Sequence, residues 1–209
     1  MKIKVIHIQL NKNGEKFMER NSQASQGYKL ESQIREAYGR ITYTQTCHNK
    51  IIHRLKRKND WIKIAQIVLS ALLSGGFLVT IISSDKVTGI VGGILSLFLL
   101  ILNTYAKNFN LIESVQEHQK SSDLLWKIRE EYVSLLIDFE VLEMEEIMKK
   151  RDELQDRTAE VYSNSPRTDA KSYAQAQKAL KTEEEQTFSE HEIDVMLPNS
   201  IRRNNRELK

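Results

Sequence analysis

Two uncharged apolar stretches joined by a very short link dominate this sequence. The first covers residues 64–84 and the second covers residues 87–106, and neither contains Asp, Glu, Lys, Arg or His. Each stretch is about 20 residues long, and a helix of that length rises roughly 30 Å, the thickness of the hydrocarbon core of a bilayer. Only Asp85 and Lys86 separate them. The sequence therefore predicts two transmembrane helices in a tight antiparallel hairpin over residues 61–106.

A buried hairpin inside a soluble helical bundle is the alternative interpretation of these stretches. Helices of that kind carry charged residues on the side that faces water. Neither stretch has such a side, so we favour the membrane interpretation. The flanking segments are polar, and the whole chain has only 2 Pro and 8 Gly, which indicates helices rather than a β architecture. The predicted fold class is an all-α membrane protein.

Charged and aromatic residues next to the hairpin predict its orientation. Lys and Arg beside a transmembrane helix stay on the cytoplasmic side, whereas Trp and Tyr favour the level of the lipid headgroups. Both termini are therefore predicted to be cytoplasmic, with only the turn on the other side. A solvated helix face that touches nothing is the alternative reading of the basic cluster. The candidate headgroup-contacting residues are Arg54, Lys56, Arg57, Lys58, Trp61, Lys63, Tyr105 and Lys107.

Polar and small residues recur at helical spacing within both spans. Such stripes serve either to pack helices or to line water, because Ser and Thr can also satisfy their hydroxyl groups on the preceding turn. The candidate pore-lining residues are Gln66, Ser70, Ser74, Thr88, Gly92, Ser96 and Asn103. The candidate helix-packing residues are Ala71, Gly75, Gly89 and Gly93. The absence of charge inside the spans argues against a proton-coupled transporter.

The rest of the chain divides into four segments. Residues 1–27 combine a strand-like start with a polar linker, and residues 28–60 have the apolar spacing of an amphipathic helix that ends in the basic cluster. Residues 107–162 approximate a 3.5-residue apolar repeat, which predicts one long cytoplasmic helix. Residues 163–209 contain a break at Pro166, and we expect short helices and a basic tail after it, with Ser189 capping the last helix and Glu192 at its third position.

The helix that enters the membrane and the helix that leaves it run antiparallel. We therefore expect both to extend the hairpin as a cytoplasmic stalk, with their apolar stripes packed together or against neighbouring copies. A homo-oligomer follows from the second possibility. The candidate oligomer-interface residues are Leu125, Tyr132, Leu136 and Phe139.

The sequence contains no catalytic signature. Its single Cys excludes an intrachain disulfide, and we find no H-E-x-x-H, G-x-S-x-G or glycine-rich phosphate loop. Cys47 and His48 are adjacent, but neighbouring helix positions diverge by about 100°, so they do not form a catalytic pair. His118 falls on an apolar stripe and is interpreted as a packing residue. We expect no enzymatic activity, no cofactor and no metal.

Two stretches carry a resemblance to a known family. One is Tyr28-Lys-Leu-Glu-Ser-Gln-Ile-Arg-Glu-Ala-Tyr-Gly-Arg before the basic cluster, and the other is Phe188-Ser-Glu-His-Glu-Ile-Asp-Val-Met-Leu-Pro near the end. With the hairpin between them, residues 28–205 resemble the SLATT family, two-transmembrane effector domains found beside nucleotide-signalling systems in prokaryotes. The resemblance implies a pore-forming effector of the inner membrane that defends against phage. It also implies activation by a nucleotide signal or by a partner protein.

The resemblance implies three kinds of genomically linked partner: a sensor, a nucleotide-signalling enzyme or a reverse transcriptase. Further copies of the chain and the lipid bilayer are the other expected partners. Two functions stay open, a pore built from copies of the hairpin and a membrane-anchored scaffold that holds a cytoplasmic partner through its stalk. The polar stripes favour the pore. A small transporter is disfavoured because one hairpin has no internal repeat and no ion-binding charge.

Overall fold

The computed structural model describes residues 2–83 and 86–202, with side chains from Ser25 onward except at residues 77, 80–83 and 200. This part of the chain contains helices and no strand. The α-helices are α1 (Lys2–Ser83), α2 (Lys86–Asn108), α3 (Leu111–Ile137), α4 (Met144–Asn164), α5 (Ala170–Lys181) and α6 (Glu190–Met196). Two short 3₁₀ helices cover Asp138–Glu140 and Asn199–Ile201.

The helix α1 begins at Lys2, so the strand-like segment and linker predicted within residues 1–27 are wrong. A single strand would leave its backbone N–H and C=O groups without a partner, whereas a helix pairs them within the segment. No Pro interrupts the first 83 residues. One helix therefore continues from the N-terminal region through the amphipathic segment and into the first apolar stretch.

The predicted long helix over residues 107–162 is also wrong, because the structure divides it into separate helices. The first break lies before α3, where the Asn110 side chain caps the helix by accepting a hydrogen bond from the Glu113 backbone N–H at 3.2 Å. The second lies after α3, where the Asp138 carbonyl accepts from both the Val141 and Leu142 N–H groups at 3.0 Å. The chain reverses there, and α4 returns along α3.

Reversal of the chain places three helices around one apolar core. The core contains Leu30, Ile34, Ala37 and Ile41 from α1, Leu125, Ile128, Tyr132 and Leu135 from α3, and Ile147, Leu154 and Val161 from α4. Heptad-like spacing in α3 therefore serves contacts within the chain.

The four candidate oligomer-interface residues belong to this core. Leu125 and Tyr132 are 0% and 1% exposed, and Leu136 and Phe139 are partly buried against them. Leu125 and Tyr132 therefore pack within the chain, whereas Leu136 and Phe139 keep part of their surface exposed, and their role in an oligomer interface stays a prediction. Leu125 and Tyr132 are buried because α4 folds back on α3 and contributes to the apolar core, a contact that the sequence did not predict.

Both C-terminal α-helices begin at a side-chain cap. After the break at Pro166, Asp169 caps α5 by accepting a hydrogen bond from the Ser172 N–H at 2.7 Å. Ser189 and Glu192 form a reciprocal capping box at the start of α6. The predicted break and the predicted Ser189 cap are both confirmed.

Candidate functional site

Most large apolar side chains of the two apolar stretches point away from the chain. Those at least half exposed include Ile64, Ile67, Val68, Leu72, Leu78, Val79, Val87, Ile90, Ile94, Leu97, Phe98, Leu100 and Ile101. Within the described residues, one stretch, Lys86–Glu140, contains a window long and apolar enough to cross a membrane, and none of that window is buried. The core helix of a soluble protein would be mostly buried, and an apolar surface of this size marks a contact with lipid or protein.

The last part of α1 and the helix α2 lie side by side and antiparallel. Gln66 Nε2 donates a hydrogen bond to Asn103 Oδ1 at 2.9 Å across the pair. The Ser74 hydroxyl donates to the Ser70 carbonyl at 2.9 Å on the preceding turn. These two arrangements satisfy polar groups without water, so the stripes are compatible with packing in this state.

A groove of about 630 Å³ separates the two helices nearer the hairpin turn. Four of the seven candidate pore-lining residues, Ser74, Thr88, Gly92 and Ser96, line it together with leucines and glycines. The pair Gln66–Asn103 lies nearer the other end of the hairpin, and Ser70 is exposed and does not line the groove. The structure thus gathers polar and small residues of both helices on one concave surface.

The candidate helix-packing residues have no close neighbour within the chain. A Cβ atom added at Gly75, Gly89 or Gly93 would meet nothing within 4 Å, and Ala71 is exposed. The described chain therefore leaves open space beside these small residues. Their role in helix packing stays a prediction for contacts with another copy.

The base of the hairpin carries an aromatic and basic layer. Lys58 Nζ donates to the Tyr105 hydroxyl at 2.6 Å and lies 5.0 Å from the centroid of its ring. Tyr105 stacks on Phe109 with centroids 4.5 Å apart. Trp61 is 64% exposed at the same end of the hairpin. This layer has the composition of a headgroup belt.

The other candidate headgroup residues differ in their surroundings. Lys56, Arg57, Lys63 and Lys107 are exposed. Arg54, in contrast, forms an ion pair with Asp169, the capping residue of α5. Arg54 is therefore engaged by protein in this structure, and its contact with lipid stays a prediction. Sequence distance hid the contact, because Arg54 and Asp169 lie 115 residues apart.

A buried pair of histidines lies between α1 and α3 below this layer. His48 Nδ1 and His118 Nδ1 are 2.7 Å apart, and their rings are tilted by 51°. Burial, with a smaller effect from His118, lowers the pKa of His48 to about 4. Burial also lowers the pKa of His118, against opposing effects of Glu117 and Asp169. Both rings are neutral at pH 7, and one Nδ1–H donates to the other Nδ1.

Further polar contacts continue the α1–α3 interface around the histidines. Ser122 donates to Asn49 Oδ1 at 2.7 Å, and Arg129 Nη1 donates to Gln45 Oε1 at 3.0 Å. Thr42, Gln45 and Thr46 are buried on the same face of α1. We call this set the polar junction: Thr42, Gln45, Thr46, His48, Asn49, His118, Ser122 and Arg129. Sequence reasoning placed His118 on an apolar stripe but missed its pairing with His48, which only the register of α1 against α3 reveals.

The described residues contain no group of three His, Cys, Asp or Glu side chains that could hold a metal ion. The two histidines donate and accept with each other, so neither Nδ1 is left for a ligand. The polar junction thus combines contacts between α1 and α3 with the buried Thr42 and Thr46, whose hydroxyls donate to carbonyls of α1 itself.

An outward-facing apolar hairpin on a helical bundle defines a membrane-associated all-α protein. The chain belongs to the SMODS and SLOG-associating 2TM effector domain family 4, because the model of that family matches residues 30–192. The match confirms the SLATT resemblance seen in the sequence. It extends from the amphipathic part of α1 to α6 and includes both apolar stretches. No curated protein and no solved structure matches the chain.

Proposed function

We propose that this protein is a pore-forming effector of a conflict system that defends a prokaryotic cell against phage. The observation that carries the proposal is the apolar hairpin with Ser74, Thr88, Gly92 and Ser96 on one groove. An apolar outer surface suits lipid, and a concave surface with hydroxyl groups suits water once copies assemble around it. The proposal assigns no catalytic step to any residue.

In this proposal both apolar stretches span the inner membrane and both termini are cytoplasmic. The exposed Lys56, Arg57 and Lys63 support that orientation, since basic residues near a span remain on the cytoplasmic side. The Lys58–Tyr105 contact lies at the boundary between lipid and water. The three-helix bundle of α1, α3 and α4 is then the cytoplasmic stalk.

Assembly of copies is proposed to use the spans rather than the stalk. The apolar stripes of the stalk pack into its own core, whereas Gly75 and Gly93, which do not line the groove, have open space beside them. Small residues four apart let a neighbouring helix approach closely, and van der Waals packing then favours association in lipid. A ring of hairpins assembled in this way can turn its grooves toward a common axis.

The trigger is proposed to be a nucleotide signal or a partner protein, and the association with SMODS and SLOG in the family description supports a partner of that kind. A genomically linked sensor, a nucleotide-signalling enzyme or a reverse transcriptase would supply it. The stalk is the part of the chain that such a partner can reach from the cytoplasm. Pore opening would collapse the membrane potential of the infected cell.

A membrane-anchored scaffold is the second candidate function. Trp126, on the α3 of the stalk, is 49% exposed, and an exposed Trp is a common anchor in protein interfaces. In that case the hairpin only holds the stalk at the membrane, and the groove between α1 and α2 lines no pore.

Overproduction in cells separates the two functions. A pore with its genomic neighbour present should collapse the membrane potential, measured with a potential-sensitive dye, and arrest growth. A scaffold would leave the potential intact while still retaining a partner on the membrane. A chain recovered in the soluble fraction without detergent would contradict both.

A further inference from the structure

The segment from Asp169 to Gln186 lies across α1 just below the base of the hairpin. We call it the strap; it comprises α5 and the turn that follows. Glu184, with a φ of 51°, makes the turn that brings Glu185 and Gln186 back to the bundle. The fully buried side chains of α5 are small, Ser172, Ala176 and Ala179, and Leu180 is half-buried beside them. The apolar core of the bundle, formed by α1, α3 and α4, contains no side chain of the strap.

Charged and polar contacts hold the two ends of the strap. Asp169 pairs with Arg54, and Glu185 pairs with Lys50 Nζ at 2.7 Å. A hydrogen bond from the Ser172 backbone N–H, with help from Arg54, lowers the pKa of Asp169, so this carboxylate is charged at neutral pH. Ion pairs that reach solvent contribute little stability.

Beyond its ion pairs, the strap reaches the polar junction through Gln186. Gln186 Nε2 donates to the Thr46 hydroxyl at 2.9 Å, and Gln186 Oε1 accepts from Arg129. Because Thr46 belongs to α1 and Arg129 to α3, this one side chain bridges the two helices. The strap therefore helps to hold α1 against α3 at the level of the two histidines.

Two polar groups of α1 next to the strap have no hydrogen-bond partner among the described residues. Tyr43 stacks on Tyr173 of α5 with centroids 5.6 Å apart, and its hydroxyl is buried without a hydrogen-bond partner among the described residues. Arg54 Nη1 is likewise buried without a partner in that part of the chain. Buried donors without partners carry a desolvation cost that water would remove on opening. The contacts between the strap and α1 are therefore weak enough to be broken and re-formed.

We propose that the strap is an autoinhibitory latch, which holds α1 and α3 together at the base of the hairpin until it is released. The inference rests on the proposed function, because the consequence of release is opening of the pore. Arg54 precedes Lys58 by one helical turn, so release of the strap frees α1 directly below the headgroup layer. The polar junction then separates before the apolar core, because its hydrogen bonds can be exchanged for hydrogen bonds to water.

The single thiol of the chain reports on the latch. Cys47 is 3% exposed, and its thiol interacts with the Ser172 hydroxyl of α5. When the strap leaves α1, Cys47 meets solvent and reacts with a maleimide. The rate of labelling in detergent-purified full-length protein therefore measures how often the strap is open.

Removal of both ion pairs should open the strap more often. The variant Asp169→Asn/Glu185→Gln keeps a residue that can cap α5 but deletes the two charges. We expect Cys47 labelling to become about fivefold faster, the effect of losing two ion pairs that reach solvent. The matched control Asp156→Asn/Glu160→Gln changes charge equally at exposed positions of α4 and should label at the wild-type rate. Equal rates for the strap variant and wild type would overturn the latch.

A disulfide tests the consequence of release for conduction. Ser172→Cys places a second thiol against Cys47, and oxidation should fasten the strap to α1. Oxidised Ser172→Cys protein in liposomes with its trigger should lose ion flux, and a reducing agent should restore it. The control Cys47→Ser/Ser172→Cys cannot form the bond and should conduct under both conditions.

Failure of the latch and failure of the pore give different results. Wild-type flux that the oxidised disulfide leaves unchanged would show that the strap is no latch while the pore remains. If the wild-type protein never conducts ions with its trigger, the proposed pore function is contradicted. The labelling rates of Cys47 would still test whether the strap is a latch, because that measurement does not depend on ion conduction.

Discussion

At the scale of single residues, the histidine pair has the clearest thermodynamic consequence. The folded pKa of His48, about 4, lies below the ordinary value of 6.5. Between these values the unfolded chain binds a proton that the folded chain does not, so stability falls as the pH falls. Above pH 6.5 both states are neutral and this contribution is fully present. The two rings thus make the polar junction sensitive to acid.

The free energy of unfolding of the bundle should decrease by about 2 kcal/mol between pH 7 and pH 5, from one pKa shift at 1.36 kcal/mol per unit. Urea titration in detergent, followed by helical circular dichroism, measures it. The variant His48→Gln/His118→Gln removes both titrating groups and should lose most of this slope. An unchanged slope in that variant would assign the pH dependence to other groups.

At the scale of helices, the contacts of α3 separate core residues from assembly residues. Leu125 lies in the bundle core, whereas Gly93 has open space beside its backbone. Leu125→Ala should destabilise the bundle by about 3 kcal/mol through the cavity it leaves, without loss of oligomer. Gly93→Leu should do the reverse and prevent close approach between copies. Chemical crosslinking in membranes measures the oligomer, and urea unfolding measures the bundle.

These two variants are each other's control. An oligomer lost in Leu125→Ala but kept in Gly93→Leu would return assembly to the stalk, as the heptad-like spacing of α3 first indicated. Equal loss in both would show that assembly needs the stalk and the spans together.

The sequence predicts those elements of the fold that depend on neighbouring residues, and it does not predict those that depend on which helices pack together. The uncharged stretches, the break at Pro166 and the Ser189 cap depend on neighbouring residues, so the sequence alone predicts them. The reversal after Asp138 and the pair His48–His118 depend on which helix packs on α3, and periodicity carries no information about the partner. The same limit explains why Leu125 was expected at an interface between copies.

The candidate site shows a similar division. Residue spacing predicts the polar stripes of the two spans, and four of the candidate pore-lining residues line one groove in the structure. Ser70 shares their helical spacing but lies outside that groove, because the crossing of α1 and α2 decides which part of a stripe faces inward. The contacts of Arg54 and Lys50 with the strap could not be predicted from the sequence, because their partners follow more than a hundred residues later.

At the scale of the whole molecule, the proposed topology puts the stalk and the hairpin turn on opposite sides of the membrane. In a Cys47→Ser background, a cysteine at position 84 should react with a membrane-impermeant maleimide in intact spheroplasts. A cysteine at the exposed Ser163 should react only after the membrane is permeabilised. Native Cys47 is unsuited to this test, because its burial shields it on either side. The opposite labelling pattern would reverse the orientation.

Ion flux through liposomes tests the central claim, that the groove between α1 and α2 becomes the lining of a pore. Purified wild-type protein with its trigger should release an entrapped ion, and Ser74→Leu/Ser96→Leu should insert and assemble but abolish release, since an apolar lining does not stay wet. The control Ser70→Leu, outside the groove, should conduct like wild type. Release by the double variant equal to wild type, or no release by wild type with its trigger, would contradict the claim.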